Sequence, residues 1–292
     1  MNSAPVVAHH LCKSFGEHRV LDDLSFQVEP GDVIGVLGKN GAGKTTLLEL
    51  MLGFTPASSG EVRLFGHESF RLPADAKARV GFVPQQDELV GQLSVADQLR
   101  VIASFYARWD HELIARLCSE WGVDARARIK SMSVGERQKL SILLALGHRP
   151  ELLLLDEPVA SLDPLARRQF LEQIVDISAG GERAAVFSSH IVSDIERLAN
   201  RIWILKDGRF VWQGDLDSLK ESIVRVHFSG RTSLPPALAI PNTLSLRREE
   251  GYATAVVSDW SDDARRRLTE RGDLEVRIEP LALEEIFLEL HR

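Results

Sequence analysis

The 292-residue chain predicts an α/β fold. A mostly parallel, helix-covered sheet carries a small antiparallel β subdomain and an inserted helical subdomain, and a smaller α+β domain follows. Three observations carry this expectation. Over the first two-thirds, short apolar strand runs alternate with helix-period segments, as parallel strands joined by crossover helices require. The apolar run 32–37 passes through the glycine-rich turn 38–46 directly into a helix-forming stretch. After about Glu221 the character changes, so a boundary is expected between 1–221 and 222–292.

In chain order, 6–8 and 20–28 read as strands, 32–37 as a buried strand, 46–52 as a helix and 61–64 as a strand. Apolar residues recur at helical spacing over 94–107 (Val95, Leu99, Ile102, Phe105) and 111–121 (Leu113, Leu117). With a further helix over 136–146 they mark a helical subdomain of about 87–148. Arg149-Pro150 breaks that helix before the apolar strand 152–155. Helix 164–177, strand 184–188 and helix 191–198 follow, then a hairpin of 202–205 with 210–213 about Asp207-Gly208. The remainder reads as strand 224–228, a proline-containing connection 232–241, strand 253–257, helix 262–269, strand 274–278 and an amphipathic helix 283–290.

Composition narrows the function classes. A hydrophobic fraction of 44% supplies a core, and the net charge of −7 disfavours a nucleic-acid surface. The run Arg265-Arg266-Arg267 is flanked by acids and reads as a solvated helix face. No apolar stretch approaches the ~18 to 20 residues that span a bilayer, and the N-terminus lacks the pattern of an export signal, so a soluble cytosolic polypeptide is expected. Cys12 and Cys118 lack metal-ligand spacing and read as reduced thiols.

The turn Gly38-Lys39-Asn40-Gly41-Ala42-Gly43-Lys44-Thr45-Thr46 has the spacing of a phosphate-binding loop between strand and helix. Glycines let successive N–H groups turn inward, Lys44 can reach the β and γ phosphates, and the Thr45 hydroxyl suits Mg²⁺. Gly43 opens a helix whose N-terminal dipole favours the anion. The fold expectation thus becomes a phosphate-loop NTPase core. Further on, Leu152-Leu153-Leu154-Leu155 leads into Asp156-Glu157. Two carboxylates ending a buried strand are expensive unless they serve a cation or a proton transfer. Asp156 fits the metal side, and Glu157 can orient and deprotonate an attacking water.

With these motifs, Met132-Ser133-Val134-Gly135-Glu136-Arg137-Gln138 at a helix start makes the resemblance specific. Over residues 5–220 the chain resembles the nucleotide-binding subunit of an ATP-binding cassette (ABC) transporter, and this segment is similar to the family signature, commonly LSGGQ. Alone, Ser133 and Glu136 would be a helix capping box. The resemblance implies that Ser133 and Gly135 meet the γ-phosphate bound by an opposite subunit. Val134 and Glu136 depart from the pattern. Val134 suggests a side chain turned away from nucleotide; Glu136 either turns aside as a cap or weakens nucleotide-driven closure.

The same resemblance assigns further residues. Phe15 in Lys13-Ser14-Phe15-Gly16 resembles the aromatic that stacks on adenine, although an isolated Phe reads as core. Gln85 in Val83-Pro84-Gln85-Gln86 resembles the glutamine that senses Mg²⁺ and the attacking water, with Gln86 the competing register. Ser161 and Asp163 resemble the loop that crosses the dimer interface, and Asp163 also suits the N-cap of a helix beginning at Pro164. His190 matches the switch histidine, expected to bond the γ-phosphate and hold Glu157 and water in line. The other histidines read as incidental, and Trp109, Trp121, Trp203 and Trp212 as packing residues.

The family implies ATP and Mg²⁺ as ligands, and a second copy or a paralogous subunit as partner. It also implies an integral membrane permease as a separate chain, whose cytoplasmic coupling helix would enter a groove within 87–131, with this subunit peripheral on the inner membrane face. The tail over 282–288 resembles that of bacterial exporter subunits and suggests dimer support or regulation. The alternative is a soluble mechanical or assembly ATPase built on the same clamp. Sustained heptads and a second phosphate loop, which mark many such relatives, are missing from the sequence.

Overall fold

The computed structural model describes residues 4–178, 180–230, 242–249, 251–261, 266 and 274–292. The connection expected over 232–241 and the helix expected over 262–269 lie outside these residues, Arg266 excepted. The chain divides into one unit ending at Phe210 and another beginning at Val211.

The first unit opens with β1 (Val6–Phe15), β2 (His18–Val28), β3 (Val33–Leu37), α1 (Lys44–Leu52), β4 (Ser59–Leu64), β5 (His67–Glu68), α2 (Ala74–Lys77) and β6 (Val80–Val83). It continues through α3 (Val95–Ala103), α4 (His111–Glu120), α5 (Val134–Leu146), β7 (Leu152–Asp156), α6 (Pro164–Ser178), β8 (Ala184–Ser189), α7 (Val192–Leu198), β9 (Arg201–Lys206) and β10 (Arg209–Asp215), which carries the chain into the second unit. The antiparallel subdomain is the sheet β2-β1-β4-β5. In the larger sheet, β10-β9-β3-β8-β7-β6, the pairs among β9, β3, β8, β7 and β6 are parallel.

Every residue of β3, β7 and β8 is buried. Parallel strands covered on both faces have no solvent side, which is why they read as continuous apolar runs. Leu152, Leu153, Leu154 and Leu155 are each 1% exposed or less, and burying one leucine contributes about 1.5–3 kcal/mol. The Asp207-Gly208 hairpin is present, both turn residues having the positive φ (50° and 75°) of the primed turns that suit hairpin twist.

Two expectations change. The helix anticipated over 94–107 stops at Ala103, where the ladder tightens into i→i−3 bonds, Phe105 N–H to Ile102 O at 3.1 Å and Tyr106 N–H to Ala103 O at 3.2 Å. Phe105, placed in the apolar stripe by its spacing, is 76% exposed. The division between the two units falls after Phe210. Phe210 packs edge-on against Phe26 and tilted against Trp203, and it is the last side chain of this part to join the first unit's core.

The second unit adds α8 (Leu216–Ser222), β11 (Val224–Gly230), β12 (Thr243–Glu249), β13 (Tyr252–Val257), β14 (Leu274–Pro280) and α9 (Leu283–Leu290). Its antiparallel sheet has the order β12-β13-β11-β14. Val224, Val226 and Phe228 alternate on β11 and share a core with Ala253, Ala255 and Val257.

Candidate active site

After Leu37 the chain reverses through two glycines of positive φ, Gly41 at 82° and Gly43 at 105°. At Gly43 a Cβ would also stand 2.6 Å from Leu21 Cδ2, so both conformation and space demand glycine. No side chain caps α1, which leaves its first N–H groups and positive dipole end to an anion. Lys44, 7% exposed, donates from Nζ to Gly38 O at 2.8 Å and lies 3.8 Å from Glu157 Oε1. Burial pushes the Lys44 ammonium's pKa down, while Glu157 and Asp156 oppose that shift.

The two carboxylates at the end of β7 are organised by a residue on β8. Asp156 stands opposite Ser188 in the parallel register. The Ser188 hydroxyl donates to Asp156 Oδ1 at 2.6 Å and accepts the Glu157 N–H at 2.8 Å. Glu157 has a φ of 49°, a left-handed conformation that is costly for a non-glycine residue and turns it out of the strand. Its Oε2 accepts the His190 N–H at 3.3 Å and lies 2.7 Å from His190 Nδ1. A carboxylate only accepts, so Nδ1 carries the proton in this pair.

Lys44, Asp156 and Glu157 share an open cleft of about 430 Å³ with Asn40, Gly41, Gly43, Thr45, Thr46 and Gln85. Gly38 and Ala42 complete the loop; Gly38 is kept small by Leu205 O, 2.8 Å from where its Cβ would be. Gln85 lines this cleft as well as the neighbouring groove, whereas Gln86 lines the groove and not the cleft. Phe15 is 52% exposed and therefore not core. It is not among the cleft-lining residues, but its register partner across the β1–β2 hairpin, His18, is.

The signature-like segment lies elsewhere. Ser133 caps α5 in a capping box, with Glu136 Oε2 accepting from Ser133 N–H at 2.7 Å and from its hydroxyl at 2.8 Å. The Glu136 carboxylate therefore turns back onto the cap, the first of the two outcomes anticipated for it. Val134, 56% exposed, lines a groove of about 740 Å³ together with Gln85, Gln86 and Ser161. A Cβ on Gly135 would approach Ser161 O to 2.9 Å. Asp163 Oδ1 accepts from Leu165 and Ala166 N–H at 3.0 and 2.9 Å, the capping role expected for it. Ser133, Gly135, Ser161 and Asp163 do not line the phosphate-loop cleft.

Sequence reasoning missed Ser188, His18 and Val20 at the cleft. It also missed the pair Arg137 Nε to Asp87 Oδ2 at 2.9 Å, which ties the segment after Gln85 to α5. A hydroxyl at the end of an otherwise apolar strand, as at Ser188, was the available signal.

Comparison with known proteins agrees with this geometry. The family model described as ABC transporter matches residues 21–160. Nod factor export ATP-binding protein I of Paraburkholderia xenovorans (strain LB400) is 33% identical over 306 aligned residues, covering 99% of this chain and 98% of that protein. A solved ATP binding subunit of an ABC transporter gives a TM-score of 0.68 at 27% identity, covering 74% of this chain and 91% of that one. The dimeric ATP-binding cassette MJ0796 in a post-hydrolysis state bound to ADP and Pi shares the fold, with a TM-score of 0.64 at 21% identity over 72% of this chain and 98% of that one. A relative matched over nearly its whole length and a phosphate-loop cleft lined by paired carboxylates lead to one assignment: this chain belongs to the ATP-binding, ATP-hydrolysing subunits of the ABC transporter family.

Proposed function

We propose that this subunit drives export through a separate membrane permease by closing head to tail on a second copy, or a paralogous subunit, with ATP held between them. One observation carries the reading. The groups suited to hydrolysis converge on one cleft, while Ser133 and Gly135, suited to capping a γ-phosphate, lie outside it. A half-site of this kind is completed by the α5 N-terminus of another chain. The end-to-end match to an export ATP-binding protein supports the direction of transport. Among the described residues no helix is long and apolar enough to cross a membrane. We assign the membrane path to the permease, with this subunit on its cytoplasmic side.

Mg²⁺ takes oxygen donors, and the Thr45 hydroxyl, the Asp156 carboxylate and the Gln85 amide oxygen line the cleft as such a set. Bound there, Mg²⁺ would neutralise charge on the β and γ phosphates. The loop N–H groups and Lys44 hold the triphosphate. Glu157, fixed between Lys44 and His190, takes the proton from the attacking water, and His190 keeps the carboxylate aimed. Ser161 lies beside Gly135, and Asp163 caps α6 two residues further on; this loop is suited to pass closure from one site to the other.

Complementation tests the composite site. Lys44→Ala and Ser133→Arg subunits should each be inactive alone, and mixing them should restore ATPase activity, because a mixed dimer keeps one intact pairing of Lys44 with Ser133. A mixture no more active than the sum of its parts contradicts the reading.

A further inference from the structure

We propose that Lys13 is a positioning residue for nucleotide binding, setting the plane of Phe15 so that the ring is ready to stack on the base. This inference rests on the reading of Phe15 as the base-stacking aromatic. Lys13 and Phe15 are two residues apart on β1 and point to the same face. The Lys13 side chain is 7% exposed, unusual for lysine. Its Nζ donates to Thr55 Oγ1 at 2.6 Å and to Pro56 O at 2.7 Å, in the segment that follows α1. That leaves the ammonium one further proton, and it stands 4.7 Å from the Phe15 ring centroid.

An ammonium anchored by two oxygens and placed over an aromatic face makes a cation–π contact that resists rotation of the ring. Phe15 nevertheless keeps 52% of its surface exposed, room for a second planar group. The hairpin pairs Phe15 with His18, which lines the phosphate-loop cleft, so Phe15 is one register position from that cleft. The backbone at this point is held independently of Lys13, through Ser14 N–H to Ser58 Oγ and Ser58 N–H to Cys12 O, both at 2.9 Å. Lys13 therefore acts on the ring rather than on the strand. A ring already oriented has less freedom to lose when the base arrives, and that difference appears as affinity.

The test is the ratio of affinities for ATP and for inorganic tripolyphosphate, each with Mg²⁺, since only ATP carries a base. Lys13→Met should lower this ratio about two- to fivefold, the lower range of a cation–π contact. Lys13→Arg, which keeps a cation over the ring, should recover most of it. Thr55→Val, which removes one anchor, should give a smaller loss of the same kind if Lys13→Met fails to fold. In a Phe15→Ala background, Lys13→Met should change the ratio no further. A ratio unchanged by Lys13→Met but lowered by Phe15→Ala overturns this inference alone, as does an equal loss for both ligands. A ratio unchanged by Phe15→Ala overturns the base-stacking reading beneath it.

Discussion

Glu157 is where the proposed chemistry is concentrated at the scale of single residues. Its carboxylate lies 3.8 Å from Lys44 Nζ and 2.7 Å from His190 Nδ1, and its backbone sits at a φ of 49°. Replacing it by Gln keeps the shape and would remove the proposed base. Glu157→Gln should retain ATP affinity and lower turnover by about 10²- to 10⁴-fold, checked by phosphate release and nucleotide binding on the same preparation. Ser188, 0% exposed, serves both neighbouring carboxylate residues. Ser188→Ala leaves a buried acceptor and a buried N–H without their partner, at about 1–3 kcal/mol, and both the urea midpoint and turnover should fall. At the α5 cap, the Ser133 backbone N–H and then its hydroxyl hold the Glu136 carboxyl below the ordinary carboxylate range. A depressed pKa stabilises the fold above the unfolded-state value and loses that contribution as pH falls through the folded one. The stability gap between the parent and Glu136→Ala should therefore be present at neutral pH and shrink on acidification, as read from urea midpoints across a pH series.

Among the elements, β3 and α7 join the phosphate loop to His190. At Gly35 a Cβ would stand 2.5 Å from Ile195 Cγ2, so α7 packs directly on the strand that feeds the loop. Gly35→Val should cost about 1–3 kcal/mol by overpacking and, by displacing the helix that follows His190, reduce turnover more than ATP affinity. Paired urea denaturation and steady-state kinetics would check both. This scale also shows what the sequence made legible. β3 and β7 could be read because parallel strands buried on both faces are apolar throughout. β6, β12 and α8 were not anticipated: β6 has only four residues with a glycine among them, and β12 carries exposed charges at its end. The phosphate loop and the β7 acids are local in sequence and were legible. The Ser188 hydroxyl ending an apolar strand is a local signal, but its place opposite Asp156 depends on the pairing of strands about thirty residues apart, a long-range register that no local pattern encodes.

For the whole molecule, one copy holds a triphosphate cleft and, apart from it, an exposed helix start suited to a γ-phosphate. On the proposed reading, closing two copies head to tail would bring the two halves together twice, with ATP as part of the interface and hydrolysis releasing it. On that reading ATP, and not protein concentration alone, makes the dimer. Sedimentation of Glu157→Gln, with and without ATP–Mg²⁺, measures this most directly. A dimer that forms with ATP–Mg²⁺ and is lost when Ser133→Arg is added to the same chain is the expected result; a monomer at saturating ATP–Mg²⁺ would contradict the composite site.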